Sequence, residues 1–286
     1  MNISRTKAEL RAALTPARRK GRSIGLVPTM GALHEGHLSL LRAARAQCEV
    51  VVMSLFVNPT QFGGGEDLDS YPRDEARDLE LAEAAGVDHV YAPGTDEVYP
   101  PGFATAVEVS GVTEVLEGGG DQRGPEHFRG VATVVAKLLN TVGPDVAYFG
   151  QKDAQQAIVI RRMVADLDFP IRIEVLPTVR EPDGLALSSR NAYLGPQDRE
   201  RATALGRGLS AASAVARAGG SLAEAIAAAR AEIEGAGIEP EYLEARDAED
   251  LSPVADLNGG VVLLAVAARV GDARLIDNVV IEGKER

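Results

Sequence analysis

Residues Val50-Val51-Val52-Met53-Ser54-Leu55-Phe56-Val57 form a nearly unbroken apolar and β-branched run. Such a run offers no polar face to water. It predicts a strand covered on both sides, as in the parallel sheet of an α/β layer. Parallel neighbours need crossover connections, and helical patterns stand on either side of the run. Before it, Ile24 to Val27 reads as a strand. Residues 36–46 read as a helix with Leu38, Leu40, Leu41 and Ala44 on its apolar face. After it, residues 74–85 read as a helix and Val87 to Ala92 as a strand. Strand and helix alternating at these lengths predict βαβ units in a doubly wound sheet.

The rest of the chain extends this scheme. Thr6 and Glu9 have capping-box spacing, which predicts a helix over Lys7 to Arg19. Residues 93–105 read as loop, Val107 to Val109 as a short strand, and Leu116 to His127 as a mobile loop. Phe128 to Leu139 then reads as a helix, Asp145 to Phe149 as a strand, 154–166 as a helix and Ile171 to Val175 as a strand. Near residue 178 the texture changes. Two Ala-rich helical patterns (197–218 and 222–235) precede three apolar segments, Glu241 to Ala245, Val261 to Val270 and Arg274 to Ile281. Helices followed by strands predict a smaller α+β domain with an antiparallel sheet. The expected division is 1–178 and 179–286.

A net charge of −12 disfavours nucleic acid and anionic membrane as partners. The only dense basic cluster, Arg18-Arg19-Lys20 with Arg22, reads as a solvated helix end. A single cysteine, Cys48, excludes a disulfide framework and a multi-cysteine zinc site. Its apolar neighbours suit an inert buried thiol. The N-terminus has no apolar targeting core, and no apolar run approaches the ~18 residues of a membrane span. A soluble, cytoplasmic protein is expected.

Polar residues collect at the carboxyl ends of the expected strands, where ligands bind in open α/β sheets. Met30, His34 and His37 follow the first strand of the alternation, Asn58 and Gln61 the second, and Gly150, Lys152, Asp153 and Gln156 a third. His34 and His37 are three apart at a helix start, so both imidazoles can meet one ligand. Gly31 and Gly36 beside them, with the unpaired amides of a helix N-terminus, make an anion site. Blander readings stay open for each. The histidines could be surface residues or half a metal site. Asn58 and Gln61 could cap a turn around Pro59. Lys152 and Asp153 could be a helix-start ion pair, and Ser188-Ser189-Arg190 a turn with a solvated arginine. Walker, dinucleotide-fingerprint and G-x-S-x-G motifs are absent.

Six stretches, PTMGALHEGH (28–37), FVNPTQF (56–62), YPR (71–73), HFRGV (127–131), FGQKD (149–153) and LSSRN (187–191), together resemble the pantoate–β-alanine ligase family. They run in order from about residue 20 to 195. HxGH alone would indicate only the wider HIGH-type nucleotidyltransferases. The resemblance implies a Rossmann-like N-terminal domain, a C-terminal lid domain and a homodimer. It also implies two reaction steps: ATP, Mg²⁺ and pantoate give pantoyl adenylate, and β-alanine then displaces AMP.

On this resemblance His34, His37 and Lys152 donate to the phosphates, and Ser188, Ser189 and Arg190 close on them as a KMSKS-like loop. Pro28, Met30, Gly36, Gly150, Asp153, Val179 and Leu187 join His37, Lys152, Ser188 and Arg190 around ATP. Gln61, Gln156, Asn58 and Met30 take pantoate. Asp78 stands at an Mg²⁺ position, and the 63–70 loop gates the site. Two departures stand out. Leu187 replaces an expected methionine, and the segment before His127 is one residue longer than usual, which leaves Arg123 and Arg129 as alternatives for one role.

Overall fold

The computed structural model describes residues 1–63, 68–69, 71–120, 122–258 and 260–283. Most of the expected 63–70 gate therefore lies outside the described residues. The chain forms two compact units. One comprises Met1–Gly150 with Val159–Pro177, the other Gln151–Ile158 with Thr178–Arg286.

The first unit is a six-stranded sheet, wholly parallel, in the order β1-β4-β3-β2-β5-β6. Its strands are β1 (Asn2–Ser4), β2 (Ile24–Thr29), β3 (Val50–Leu55), β4 (His89–Tyr91), β5 (Val146–Gly150) and β6 (Arg172–Leu176). The Val50 run is β3, paired on both sides, and Val51, Val52 and Met53 are fully buried. It stops at Leu55. The Phe56 amide makes one last bond, to the Thr29 carbonyl, and the chain then leaves the sheet.

Helices α1 (Lys7–Arg19), α2 (Glu35–Gln47), α3 (Glu75–Ala84), α4 (Thr95–Val98), α5 (Pro125–Val142) and α6 (Ala154–Asp166) connect the strands. The chain winds outward through β2, β3 and β4, then returns to the other side of β2 through β5 and β6. The switch point therefore lies between β2 and β5, where doubly wound sheets bind ligands.

Several expectations need correction. Residues 93–105, expected as loop, contain the one-turn helix α4, Thr95–Val98. Val107 to Val109 is no strand, because the Val107 amide donates to Thr133 Oγ1 of α5 and not to a ladder. The expected loop 116–127 contains a 3₁₀ turn, Leu116–Gly118, and its end is already helix. Pro125 opens α5 in the first turn, where a missing N–H costs nothing, so the helix starts three residues before Phe128. Strand β1 was not expected, since three residues carry too little periodicity to read.

The second unit packs α7 (Pro196–Arg217) and α8 (Leu222–Gly235) with an antiparallel sheet, β7 (Pro240–Asp247), β8 (Val261–Val270) and β9 (Ala273–Glu282). The central strand β8 is buried from Val262 to Ala268, and Leu205, Leu209, Ala229 and Ile233 complete the core. The start of α6 groups with this unit. Asn278 of β9 explains why, since its amide donates to the carbonyls of Gln151 (2.9 Å) and Lys152 (3.0 Å).

Candidate active site

The turn after β2 is built around its two histidines. His34 is the N-cap of α2 and His37 is the third helical residue. The Gly36 amide donates to His34 Nδ1 at 3.2 Å, and the His34 amide donates to His37 Nδ1 at 3.3 Å. This is capping-box geometry with imidazoles in place of hydroxyl and carboxylate. It gives the H-x-x-H spacing a local cause. Because each Nδ1 accepts from the backbone, each neutral ring carries its hydrogen on Nε2. The ring centroids lie 4.1 Å apart with the planes tilted by 38°, so the two imidazoles are neighbours on one turn. A Cβ on Gly36 would come within 2.9 Å of the His34 ring, so the motif needs glycine there.

Asp78 of α3 supports this turn from below. It is 2% exposed, and its two carboxylate oxygens accept the Ala32 amide (3.0 Å) and the Leu33 amide (2.7 Å). Gly31 and Ala32 both have positive φ, 88° and 51°. Ala32 is strained there, and the carboxylate offsets that strain. Asp78 thus differs from the Mg²⁺ position expected of it. Both its oxygens are engaged, and among the described residues no three of His, Cys, Asp and Glu come together as a metal-binding group. The described side chains do not form a preformed Mg²⁺ site.

After β3, Asn58 caps a 3₁₀ turn, Pro59–Gln61. Asn58 is 1% exposed and every polar atom of its amide is used. Its Oδ1 accepts from Tyr99 OH (2.7 Å) and Thr60 Oγ1 (2.9 Å). Its Nδ2 donates to the Gly130 carbonyl (3.2 Å) and to Gln61 Oε1 (3.0 Å). The Gly130 carbonyl can only accept, which fixes which end of Asn58 is nitrogen. Gln61 must then offer its oxygen to Asn58, leaving Nε2 as the donor for a ligand. Burial raises the Tyr99 hydroxyl pKa above its usual value, so it remains a donor. A Cβ on Gly130 would lie 2.3 Å from the Thr60 carbonyl oxygen, so only glycine lets α5 rest on the turn.

The structure separates the two arginines. Arg129 pairs with Glu126 at the surface of α5. Arg123 Nη1 lies 3.1 Å from Nε2 of His127, whose Nδ1 lies 2.6 Å from the Gln61 carbonyl oxygen. Arg123 is therefore the arginine linked to the Gln61 turn. Arg73 of the Tyr71-Pro72-Arg73 stretch donates to the carbonyls of Leu68 (2.7 Å) and Tyr71 (3.3 Å), tying down the far end of the 63–70 loop.

In the second unit, Lys152 and Asp153 form a 3₁₀ turn with Gln151 and pair at 3.6 Å. Gln156 follows, half-buried, in the first turn of α6, while Gly150 ends β5 in the first unit. Val179 and Leu187 face each other across a small hairpin, the Leu187 amide donating to the Val179 carbonyl at 3.0 Å. Ser188 caps the 3₁₀ turn Ser189–Tyr193, its Oγ accepting from the Arg190 amide at 3.2 Å. Asn191 anchors the turn by donating to Glu181 Oε1 (2.9 Å) and the Ala186 carbonyl (3.1 Å). Arg199 bonds to Glu181 and holds its carboxyl below the usual range.

Met30, His34, Gly36 and His37 thus share one turn, Asn58 and Gln61 a second, and Lys152 and Asp153 a third. Ser188, Ser189 and Arg190 share a fourth. Sequence reading missed His127, Tyr99, Thr60 and Asn278. The first three bond Asn58 or Gln61, and Asn278 holds the Lys152 turn. His127 lay inside a recognised motif, and its burial is the signal that separates it from its neighbours. Asn278 sits in an otherwise ordinary strand pattern and gave no signal.

Comparison with known proteins gives the family of the chain. The family model described as pantoate–beta-alanine ligase matches residues 2–280. The pantothenate synthetase of Moorella thermoacetica is 56% identical over 99% of both chains. That of Geobacter sulfurreducens is 50% identical over the whole of both. The crystal structure of pantothenate synthetase from Thermus thermophilus superposes with a TM-score of 0.91, at 50% identity over 98% of this chain and 99% of that one. The pantoate–beta-alanine ligase of Francisella tularensis was crystallised with beta-gamma ATP and beta-alanine. It superposes with a TM-score of 0.78, at 32% identity over 98% of this chain and 97% of that one. The Rossmann-like parallel sheet, the small antiparallel sheet and nearly the whole length of the chain are shared with these proteins, and the chain belongs to the pantoate–beta-alanine ligase family.

Proposed function

We propose that this protein is an AMP-forming ligase that condenses pantoate with β-alanine, using ATP, to give pantothenate, AMP and pyrophosphate. The observation that carries the reading is the paired histidines of the α2 cap, set in a chain that matches the family over residues 2–280. In the first step the pantoate carboxylate attacks the α-phosphorus and pyrophosphate leaves. Negative charge builds on the phosphoryl oxygens, and fixed N–H donors stabilise that charge most when they need no reorganisation. The Nε2–H groups of His34 and His37 meet that requirement, with Lys152 as the cationic donor. Ser188, Ser189 and Arg190 would close on the same phosphates.

Pro28, Met30, Gly36, Gly150, Asp153, Val179 and Leu187 complete the proposed ATP contacts. In this reading Gln61 and Gln156, with Met30, meet the acid, and Asn58, whose amide is fully engaged within the protein, acts by orienting Gln61. Gln61 presents a donor, which suits a carboxylate or hydroxyl oxygen. In the second step the β-alanine amine attacks the acyl carbon of pantoyl adenylate and AMP departs. An acyl adenylate hydrolyses where water reaches it, which is the reason to assign residues 63–70 to a gate. Mg²⁺ would arrive with the triphosphate.

A homodimer and a cytoplasmic location belong to the same reading. No helix among the described residues is long and apolar enough to cross a membrane. The decisive experiment measures AMP release with each substrate omitted in turn, together with pantoate-dependent exchange of pyrophosphate into ATP. Exchange with ATP and pantoate alone is expected. AMP release that needs no pantoate would overturn the assignment. Light scattering after gel filtration reads the oligomeric state.

A further inference from the structure

Gln61 is held by two separate grips. Asn58 fixes its side-chain oxygen, as described above. The second grip is on its main chain. His127, in the first turn of α5 and 7% exposed, lies with Nδ1 2.6 Å from the Gln61 carbonyl oxygen. Its Nε2 is 3.1 Å from Arg123 Nη1.

The chemistry of these partners leaves one protonation state. A carbonyl oxygen only accepts, so Nδ1 carries a hydrogen. A guanidinium only donates, so Nε2 is a bare acceptor. His127 is thus a neutral imidazole in the Nδ1–H form, with both nitrogens occupied. The ring stands edge-on to Phe128 with centroids 5.0 Å apart, which fixes its plane. Gly130, one helical turn further on, brings the α5 backbone onto Thr60 and Gln61 with no side chain between. A histidine in this setting has no spare nitrogen for proton transfer. What it can do is set where the Gln61 backbone sits.

We propose that His127 is a positioning residue for the acid substrate: its Nδ1–H fixes the Gln61 main chain so that the Gln61 Nε2 donor meets pantoate, and Arg123 locks the imidazole in the required tautomer. This rests on the reading of Gln61 as a pantoate-binding residue. The geometry has a directional consequence. Displacing Gln61 changes acid binding and leaves ATP binding alone, because the ATP contacts assigned above lie on other turns.

The test compares His127→Ala, His127→Gln and His127→Asn with Gln61→Ala in the full chain. An asparagine amide can place N–H near the former Nδ1, whereas a glutamine amide extends toward the former Nε2. Loss of one buried hydrogen bond is worth about tenfold. The KM for pantoate is therefore expected to rise about tenfold in His127→Ala and His127→Gln and to recover in His127→Asn. The KM for ATP should stay within about twofold throughout. Equal rises in KM for pantoate and ATP would reduce His127 to a general structural role and overturn the proposal, as would an asparagine variant no better than alanine. Gln61→Ala without effect on the pantoate KM would overturn the reading of Gln61. A clear Gln61→Ala effect beside silent, folded His127 variants would overturn only the positioning role. Long-range ¹H–¹⁵N spectra of the unsubstituted protein test the same claim without any variant. They should show His127 as the neutral Nδ1–H tautomer, and an Nε2–H tautomer would refute it.

Discussion

The turn at His34 and the turn at Asn58 both follow a central parallel strand, yet they are held in opposite ways. His34 and His37 are fixed by backbone amides two and three residues distant, so the cap carries its own instructions. Asn58 bonds to Gln61 nearby, but also to Tyr99, 41 residues away, and Gly130, 72 residues away. One turn is local and the other is assembled by the fold. A local device can present identical donors to a phosphate in many related chains. An assembled one can fit the shape of one particular acid, because its parts come from several elements that vary separately.

The largest expected effect follows from removing a donor from the local device. His37→Ala deletes an Nε2–H and also the acceptor for the His34 amide. His34→Ala likewise deletes an Nε2–H together with the acceptor for the Gly36 amide, and Lys152→Ala removes one cationic donor. Each variant should lower pantoate-dependent ATP–pyrophosphate exchange by about 10²–10³-fold while the circular dichroism spectrum is kept. Near-normal exchange in all three would break the assignment of the histidine turn to the phosphates.

The assembled turn should fail differently. Asn58→Asp keeps the shape and the acceptor for Tyr99 but removes the donor. An aspartate would face the Gly130 carbonyl and Gln61 Oε1 with no hydrogen to offer. Gln61 would then rotate its nitrogen inward, toward the new carboxylate. The KM for pantoate should rise about tenfold or more, and stability should drop by about 1–3 kcal/mol as a buried acceptor loses its partner. If exchange fell while the pantoate KM held, the contrast between the two turns would be wrong.

This contrast also explains how much was legible in the sequence. The Val50 run announced a buried strand, since period and composition are local properties. The histidine cap was legible for the same reason, its partners lying within a single helical turn. Asn58 and Gln61 were legible as candidates, but the amide orientation was not, because Gly130 and Tyr99 decide it. Val107 read as strand because its apolar spacing suits one, and only the proximity of Thr133 shows where its amide goes. Asp78 read as a metal position only through the family resemblance, from its place a few residues after Tyr71-Pro72-Arg73. Its two bonds to Ala32 and Leu33 arise only when α3 packs beneath the turn.

Asp78 links the two kinds of turn, since a distant residue braces the local device. Asp78→Asn can accept from only one of the two amides, leaving the other buried and poorly paired. A loss of about 1–3 kcal/mol is expected in chemical denaturation. The dependence of activity on Mg²⁺ concentration should keep its midpoint, and a large shift of that midpoint would restore Asp78 to the ion. Asn278→Ala is the parallel experiment in the second unit. It releases the carbonyls of Gln151 and Lys152 and should cut kcat for adenylation by about tenfold, less than the loss of Lys152 itself.

The smallest effect is expected at Leu187. Its side chain departs from the methionine that the resemblance led to expect, but its backbone does what the hairpin requires, the amide donating to the Val179 carbonyl. The neighbouring bridge between Arg180 and Ala186 continues that pairing. Arg180 is itself anchored by two bonds to buried Asp277, and Asn191 ties the following turn to Glu181 and Ala186. The segment is therefore held by backbone and by polar anchors on either side of residue 187. A leucine-to-methionine exchange conserves volume and costs under about 1.5 kcal/mol even in a packed core. Leu187 is only half-buried, so the cost should be lower still. Leu187→Met should leave the KM for ATP and kcat within about twofold of the parent. A change of tenfold in the KM for ATP would mean that the side chain, and not the hairpin backbone, meets the nucleotide.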